Sequence, residues 1–227
     1  TLFPYTTLFR SASNNVIFMW KTEAFPREMK NTPNYLVTNL IANAMASMFS
    51  ERISDILQKE NAPFLNAGFG YENFFVSKTK ESYSGSVTCE DNKYEMGVKA
   101  LYREILRAKK YGFTAAEYER FKSELLSQLE SAYLHRDKIQ SRSFVNECVR
   151  HFLENEPMTG IEWEYNAMNQ IVPNTNVDMV NQLIQQMPSN NLVITLFAAD
   201  KEDNILPAKE DILRWMAEGE AENIEPP

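Results

Sequence analysis

The stretch Gly112–Tyr133, Gly-Phe-Thr-Ala-Ala-Glu-Tyr-Glu-Arg-Phe-Lys-Ser-Glu-Leu-Leu-Ser-Gln-Leu-Glu-Ser-Ala-Tyr, fixes a helical hairpin around which the other elements must be arranged. Gly112 can take the left-handed conformation that ends a preceding helix. Thr114 can cap the next helix, with Glu117 three residues on completing a capping box. Such a cap contributes about 1 kcal/mol. Tyr118, Phe121, Leu125, Leu129 and Tyr133 recur at three- and four-residue spacing. They form one apolar stripe that must lie on something.

The elements before and after the hairpin can be read in turn. Val16–Trp20 is a short apolar run and a buried strand. Residues 22–33 hold two prolines and mixed charge and read as an exposed loop. From Asn34 the pattern is helical, with Leu36, Val37, Leu40, Ile41, Ala44, Met45, Met48, Phe49, Ile53, Ile56 and Leu57 on one face until Pro63. Phe64–Val76 and Tyr83–Cys89 read as a strand hairpin turning at 78–82. Tyr94–Tyr111 is a helix with Val98, Leu101, Tyr102, Ile105 and Leu106 inward.

Beyond the opening hairpin, Ile139–Leu153 is a helix whose stripe is Phe144, Val145, Cys148, Val149 and Phe152. Helices are expected at Glu162–Gln170 and Val177–Met187, a strand at Leu192–Ala198, and a turn or two of helix at Glu210–Met216. Residues 218–227 read as a loose acidic tail. The order strand, helix, two strands, helices, strand gives an α+β class: a mixed or antiparallel sheet with helices packed on one face. Its core is a split βαβ unit with helices inserted before the last strand, forming a single unit over 12–217.

Residues 1–11, Thr-Leu-Phe-Pro-Tyr-Thr-Thr-Leu-Phe-Arg-Ser, are set aside from that unit. They look like the translation of a sequencing-adapter oligonucleotide. They lack the basic and continuous apolar regions of a signal peptide. The natural segment is expected to begin near Ala12 and to continue upstream.

A net charge of −8 argues against nucleic acid, which wants a basic face. No apolar run approaches the roughly eighteen residues of a membrane helix. Cys89 and Cys148 have no neighbouring Cys or His at zinc-finger spacing, and both read as buried thiols.

His151-Phe-Leu-Glu154-Asn155 is one residue short of the inverted zincin signature H-x-x-E-H. In that motif two His four apart on one helix face hold zinc and the Glu activates water. Asn155 replaces the second His, so Glu147 and His151 read instead as a surface pair at i,i+4 spacing. His135-Arg136-Asp137 reads as a solvated helix end. Gly68-Phe-Gly70 lacks the third glycine of a dinucleotide fingerprint, with Asn73 in its place. Phe64, Phe69, Tyr71, Phe74 and Phe75 read as core-facing and sheet-covering. Arg107, Lys109 and Lys110 read as a helix C-terminus meeting its own dipole. The residues alone therefore assign no catalytic, cofactor-binding or metal-ligating site.

Three segments, taken in order, resemble one family. Met48–Glu60 (Met-Phe-Ser-Glu-Arg-Ile-Ser-Asp-Ile-Leu-Gln-Lys-Glu) resembles its S-R-L-x-x-x-L-R-E helix end, with the Arg at Arg52. Ala67–Ala108 resembles its next segment. Gly112–Lys122 with Leu129-Glu130-Ser131 resembles its G-x-T-x-x-E-L-x-x-A-K … L-E-S hairpin. The family is the insulinase/pitrilysin zinc metallopeptidases. Lys59-Glu60 departs mildly from the R-E pair.

The resemblance covers 16–199 and implies the second, non-catalytic subdomain of an N-terminal half. Such a subdomain walls a peptide-binding chamber, while a missing subdomain carries H-x-x-E-H and zinc. It implies as partners that zinc-bearing subdomain, the second half of the parent chain and a peptide substrate, with no nucleic acid or membrane. A periplasmic parent is expected, and this chain alone should be inactive and should expose an apolar docking patch. The alternative is part of an inactive paralogue acting as a structural or assembly subunit.

Overall fold

Alternation along the strands decides which side chains meet the helices. In β2 (Asn14–Glu23), Val16, Phe18 and Trp20 are buried in the main core. In β4 (Lys80–Cys89) the equivalent residues are Tyr83, Gly85 and Val87, registered opposite Trp20, Phe18 and Val16. β3 (Asn66–Asn73) adds Ala67 and Phe69, and β5 (Leu192–Ala199) adds Ile194 and Leu196. Burying each such apolar side chain stabilises the fold by about 1.5–3 kcal/mol.

The computed structural model describes residues 6–11, 13–138, 141–199 and 201–227, with the backbone path alone for 6–11. Within it the strand order is β1-β5-β2-β4-β3, where β1 is Thr6–Ser11. The four strands β5-β2-β4-β3 are antiparallel neighbours, and β1 runs parallel to β5. The expected mixed sheet and split βαβ core are both present, with β2 and β3 parallel to one another across β4. β1 pairs through backbone groups, which any extended sequence can supply. Its pairing therefore says nothing about where residues 1–11 came from.

The described residues hold seven α-helices: α1 (Pro33–Leu57), α2 (Tyr94–Tyr111), α3 (Ala115–Leu134), α4 (Ser141–Glu154), α5 (Gly160–Ile171), α6 (Val177–Gln185) and α7 (Lys209–Ala221). α1 packs on β3 and α2 on β4. α2 sits so close that a Cβ on Gly85 would come within 2.9 Å of Ile105 Cδ1. α3 to α6 are the helices inserted before β5, and α7 packs along α2.

The opposite face of the sheet differs in kind. Ile17, Met19, Phe74 and Val193 form a separate small cluster there, to which no described helix contributes. On that face of β4, Ser82 is buried beside the cluster, while Ser84 is half-buried and Ser86 exposed.

Several boundaries move for physical reasons. β2 extends three residues past Trp20 because β4 pairs with it as far as Glu23–Lys80. The hairpin turn therefore falls before Lys80, not at 78–82. Residues 218–227 are not loose. α7 runs to Ala221, Ile224 is buried, and the carbonyls of Ile224 and Glu225 accept hydrogen bonds from Tyr111 Oη (2.7 Å) and Arg107 Nε (3.0 Å). α4 differs most, because none of its side chains joins the main core or packs against it. Ile139, where that helix was expected to start, lies outside the described residues.

Candidate functional site

The residues that carry the family resemblance form a buried clamp. Gly112 takes φ +72°, as a left-handed helix end requires. Thr114 then makes the full capping box with Glu117. Glu117 does more than cap. Its carboxylate accepts from Arg52 Nε at 2.6 Å and Arg52 Nη2 at 3.0 Å, from the other end of α1. Arg52 Nη2 also donates to the Gly112 carbonyl at 2.9 Å, and its guanidinium lies 4.6 Å from the centre of the Phe113 ring.

Asn181 of α6 closes the turn from the other side. It accepts from Phe113 N at 2.7 Å and donates to Phe113 O at 3.1 Å. Burial pushes the Glu117 carboxyl up, but hydrogen bonds from Arg52 and Thr114 outweigh it and hold the pKa below the usual value. Arg52 and Glu117 are 65 residues apart in sequence, so local pattern cannot pair them. The clamp positions α1, α3 and α6. It offers no reacting atom.

The H-x-x-E remnant lies at the end of α4 and is occupied by structural bonds. Glu154 accepts from Lys30 Nζ at 3.2 Å and Lys78 Nζ at 3.0 Å. Partial burial raises its pKa, yet the bonds from Lys78 and Lys30 prevail and lower it. His151 Nδ1 sits 2.7 Å from the Glu156 carbonyl. Asn155 ends the helix at φ +61° and donates to the Arg27 carbonyl at 3.0 Å. Glu147 does not pair with His151. It accepts from Gly160 N at 2.9 Å, capping the next helix.

These donors do not fit zinc. One imidazole is turned to a carbonyl, the carboxylate is neutralised by two lysines, and an amide replaces the second ring. Among the described residues no group of three His, Cys, Asp or Glu could hold a metal.

The other candidates have structural places. His135 caps α3, with Nδ1 2.8 Å from Ser131 O. Gly68 and Gly70 lie inside β3, not at a strand-to-helix turn. The aromatic set divides: Phe64 and Phe69 are in the main core, Phe74 is on the opposite face, Tyr71 is half-buried, and Phe75 is exposed. Arg107 Nη1 donates to both carboxylate oxygens of Glu104 (2.6 and 2.8 Å), and Lys109 Nζ donates to Met187 O at 2.8 Å. These cations therefore tether other segments and do more than face their own dipole. Cys89 is buried and its thiol is pushed up to about 12 by that burial. Cys148 is exposed and donates to Met158 Sδ at 3.5 Å, so the expectation of two buried thiols holds for one.

Two surfaces escaped the sequence. One is the sheet face turned away from the helices, where Ser84, Ser86 and Thr88 of β4 stand beside Gly68 of β3. Alternation could have found it. The other is α4, whose apolar stripe is exposed while Glu147 and Arg150 line a recess of about 320 Å³ against α1, α3 and α5. Its 3.6-residue period was legible, but its exposure was not.

No family model matches the chain. A curated Arabidopsis thaliana protein, "zinc protease PQQL-like", is 32% identical over 83 residues, which is 37% of this chain and 9% of that protein. The first half of the periplasmic protease PqqL from Escherichia coli has the same fold. Its TM-score is 0.79 at 15% identity, over 97% of this chain and 47% of that one. An insulinase family protease from Yersinia pestis gives a TM-score of 0.77 at 13% identity, over 96% and 46%.

The chain spans less than half the length of each of these relatives. The relatives are insulinase-family proteases, the family that the lettering around Arg52 and Gly112–Ser131 resembles, and the chain has the α+β fold found in their halves. No described helix is long and apolar enough to cross a membrane.

Proposed function

We propose that this chain is the second, non-catalytic subdomain of the N-terminal half of an insulinase/pitrilysin-type zinc protease, and that it walls the chamber in which peptides are held. The observation that carries this is the extent of the match. Almost the whole chain superposes on just under half of the solved first half of PqqL, leaving a stretch of similar length for a companion subdomain.

The bond pattern around His151 and Glu154 supports assigning zinc to that companion. Zinc there would polarise a peptide carbonyl and activate water. This chain's residues would shape and close the space. The sheet face turned away from the helices suits that task. Ser84, Ser86 and Gly68 leave room for a polypeptide, and the two hydroxyls can hydrogen-bond its backbone without selecting one side chain. The similarity to the periplasmic protease PqqL supports a periplasmic parent.

The test is the parent protein. The reading frame upstream of Ala12 should encode H-x-x-E-H in a preceding subdomain, and the purified parent should cleave a fluorogenic peptide in a chelator-sensitive way. A parent with no such motif and no activity would contradict the proposal and point to a structural subunit.

A further inference from the structure

Each of the other described α-helices places apolar side chains in the main core or against it, but α4 places none there. Its stripe nevertheless has the composition of a packing face. Phe144 is 51% exposed, Val145 58%, Val149 47% and Phe152 79%. Met158 and Trp163, just beyond the helix, are exposed as well. Polar bonds hold the helix in place, mainly at its C-terminal end: Arg27 Nη2 to the Phe152 carbonyl (3.1 Å), Lys30 and Lys78 to Glu154, and Tyr35 Oη to Glu156 (2.8 Å). Ordering an apolar face and leaving it to water gains nothing, so a face of this kind marks an interaction site.

We infer that the α4 face is the seat of the companion subdomain within the parent chain. The inference rests on the proposed function and adds the docking surface to it. Three observations choose this occupant. A convex helix needs a folded groove, whereas an extended peptide lies along a groove or a strand edge. The helix is about 21 Å long at 1.5 Å per residue. One such stripe falls well short of the roughly 800 Å² per partner that a free dimer needs. A companion on the same chain is held at an effective concentration in the millimolar range and needs far less area. The relatives supply that companion, since more than half of each solved chain lies outside the region this chain covers.

Hydrogen exchange on the full-length parent and on the 227-residue chain tests this. Peptides covering 141–154 should exchange at least tenfold more slowly in the parent. Val149→Glu with Phe152→Glu should restore fast exchange in the parent. In the 227-residue chain the same pair should leave the unfolding midpoint unchanged, because both positions are already exposed.

Equal exchange in the two proteins overturns the inference. If that parent still carries an intact H-x-x-E-H and cleaves peptides, the proposed function stands without it. Protection of 141–154 in the short chain that grows with its concentration overturns it in favour of a second copy. Protection appearing only on addition of a substrate peptide overturns it in favour of peptide binding. A parent with no companion subdomain removes both the inference and the proposed function.

Discussion

α3 and α4 are adjacent helices with similar lettering and opposite fates. α3 carries Tyr118, Phe121, Leu125 and Leu129 on one stripe, and these residues are buried or half-buried. α4 carries Phe144, Val145, Val149 and Phe152 on one stripe, and all four are exposed. Periodicity specifies a face, but not what covers it. What separates the two is the anchoring of their ends. α3 begins in a clamp of Arg52, Glu117, Gly112 and Asn181 that fixes it against α1 and α6. α4 is tied by polar bonds to the β2–α1 connection and the β3–β4 turn, and it packs on no core.

The largest expected effect comes from breaking the clamp. Arg52→Ala leaves the Glu117 carboxylate buried without its cation and should cost about 3 kcal/mol in denaturant unfolding. A change below about 1 kcal/mol would mean that the clamp is ornamental, on the scale of a surface pair. Protonating Glu117 reaches part of the same effect. Its folded pKa is depressed, so its contribution is full above the ordinary carboxylate value of about 4.3 and is lost as pH falls below that value. The wild-type unfolding midpoint should therefore fall more steeply below that pH than the midpoint of Glu117→Gln. Parallel curves would contradict this.

Gly112→Ala comes next. It forces a side chain to φ +72° and brings a Cβ within 2.6 Å of Asn181, which is itself bonded to Phe113. A loss of about 1–3 kcal/mol is expected by thermal or chemical unfolding. Thr114→Ala removes one half of the capping box and should cost about 1 kcal/mol. Phe152→Ser is expected at the small end, within about 0.5 kcal/mol in the isolated chain, because the ring is already in water. If it costs as much as the cap, α4 is packed in solution and the contrast with α3 fails.

Local signals were legible wherever their cause was local. The Gly112 stop, the Thr114–Glu117 box and the limits of α2 at Tyr94 and Tyr111 follow from caps and period, and the structure has them. The sheet class followed from the order of elements. What could not be read were features set by distant neighbours. Lys30 is buried because Glu154, 124 residues on, receives it. β2 is longer than its apolar run because β4 pairs with its polar end. Residues 218–221 are helical and Ile224 is buried because α2 lies beneath them. The candidate site behaved in the same way. His151, Glu154 and Asn155 were legible as a broken motif, but the lysines and carbonyls that occupy them come from other segments.

Zinc titration of the isolated chain, with a fluorogenic peptide assay on the same sample, tests the central claim most directly. A non-catalytic wall should take up no stoichiometric zinc and release no fluorophore at any zinc concentration. One zinc bound per chain, with hydrolysis that a chelator abolishes, would contradict it.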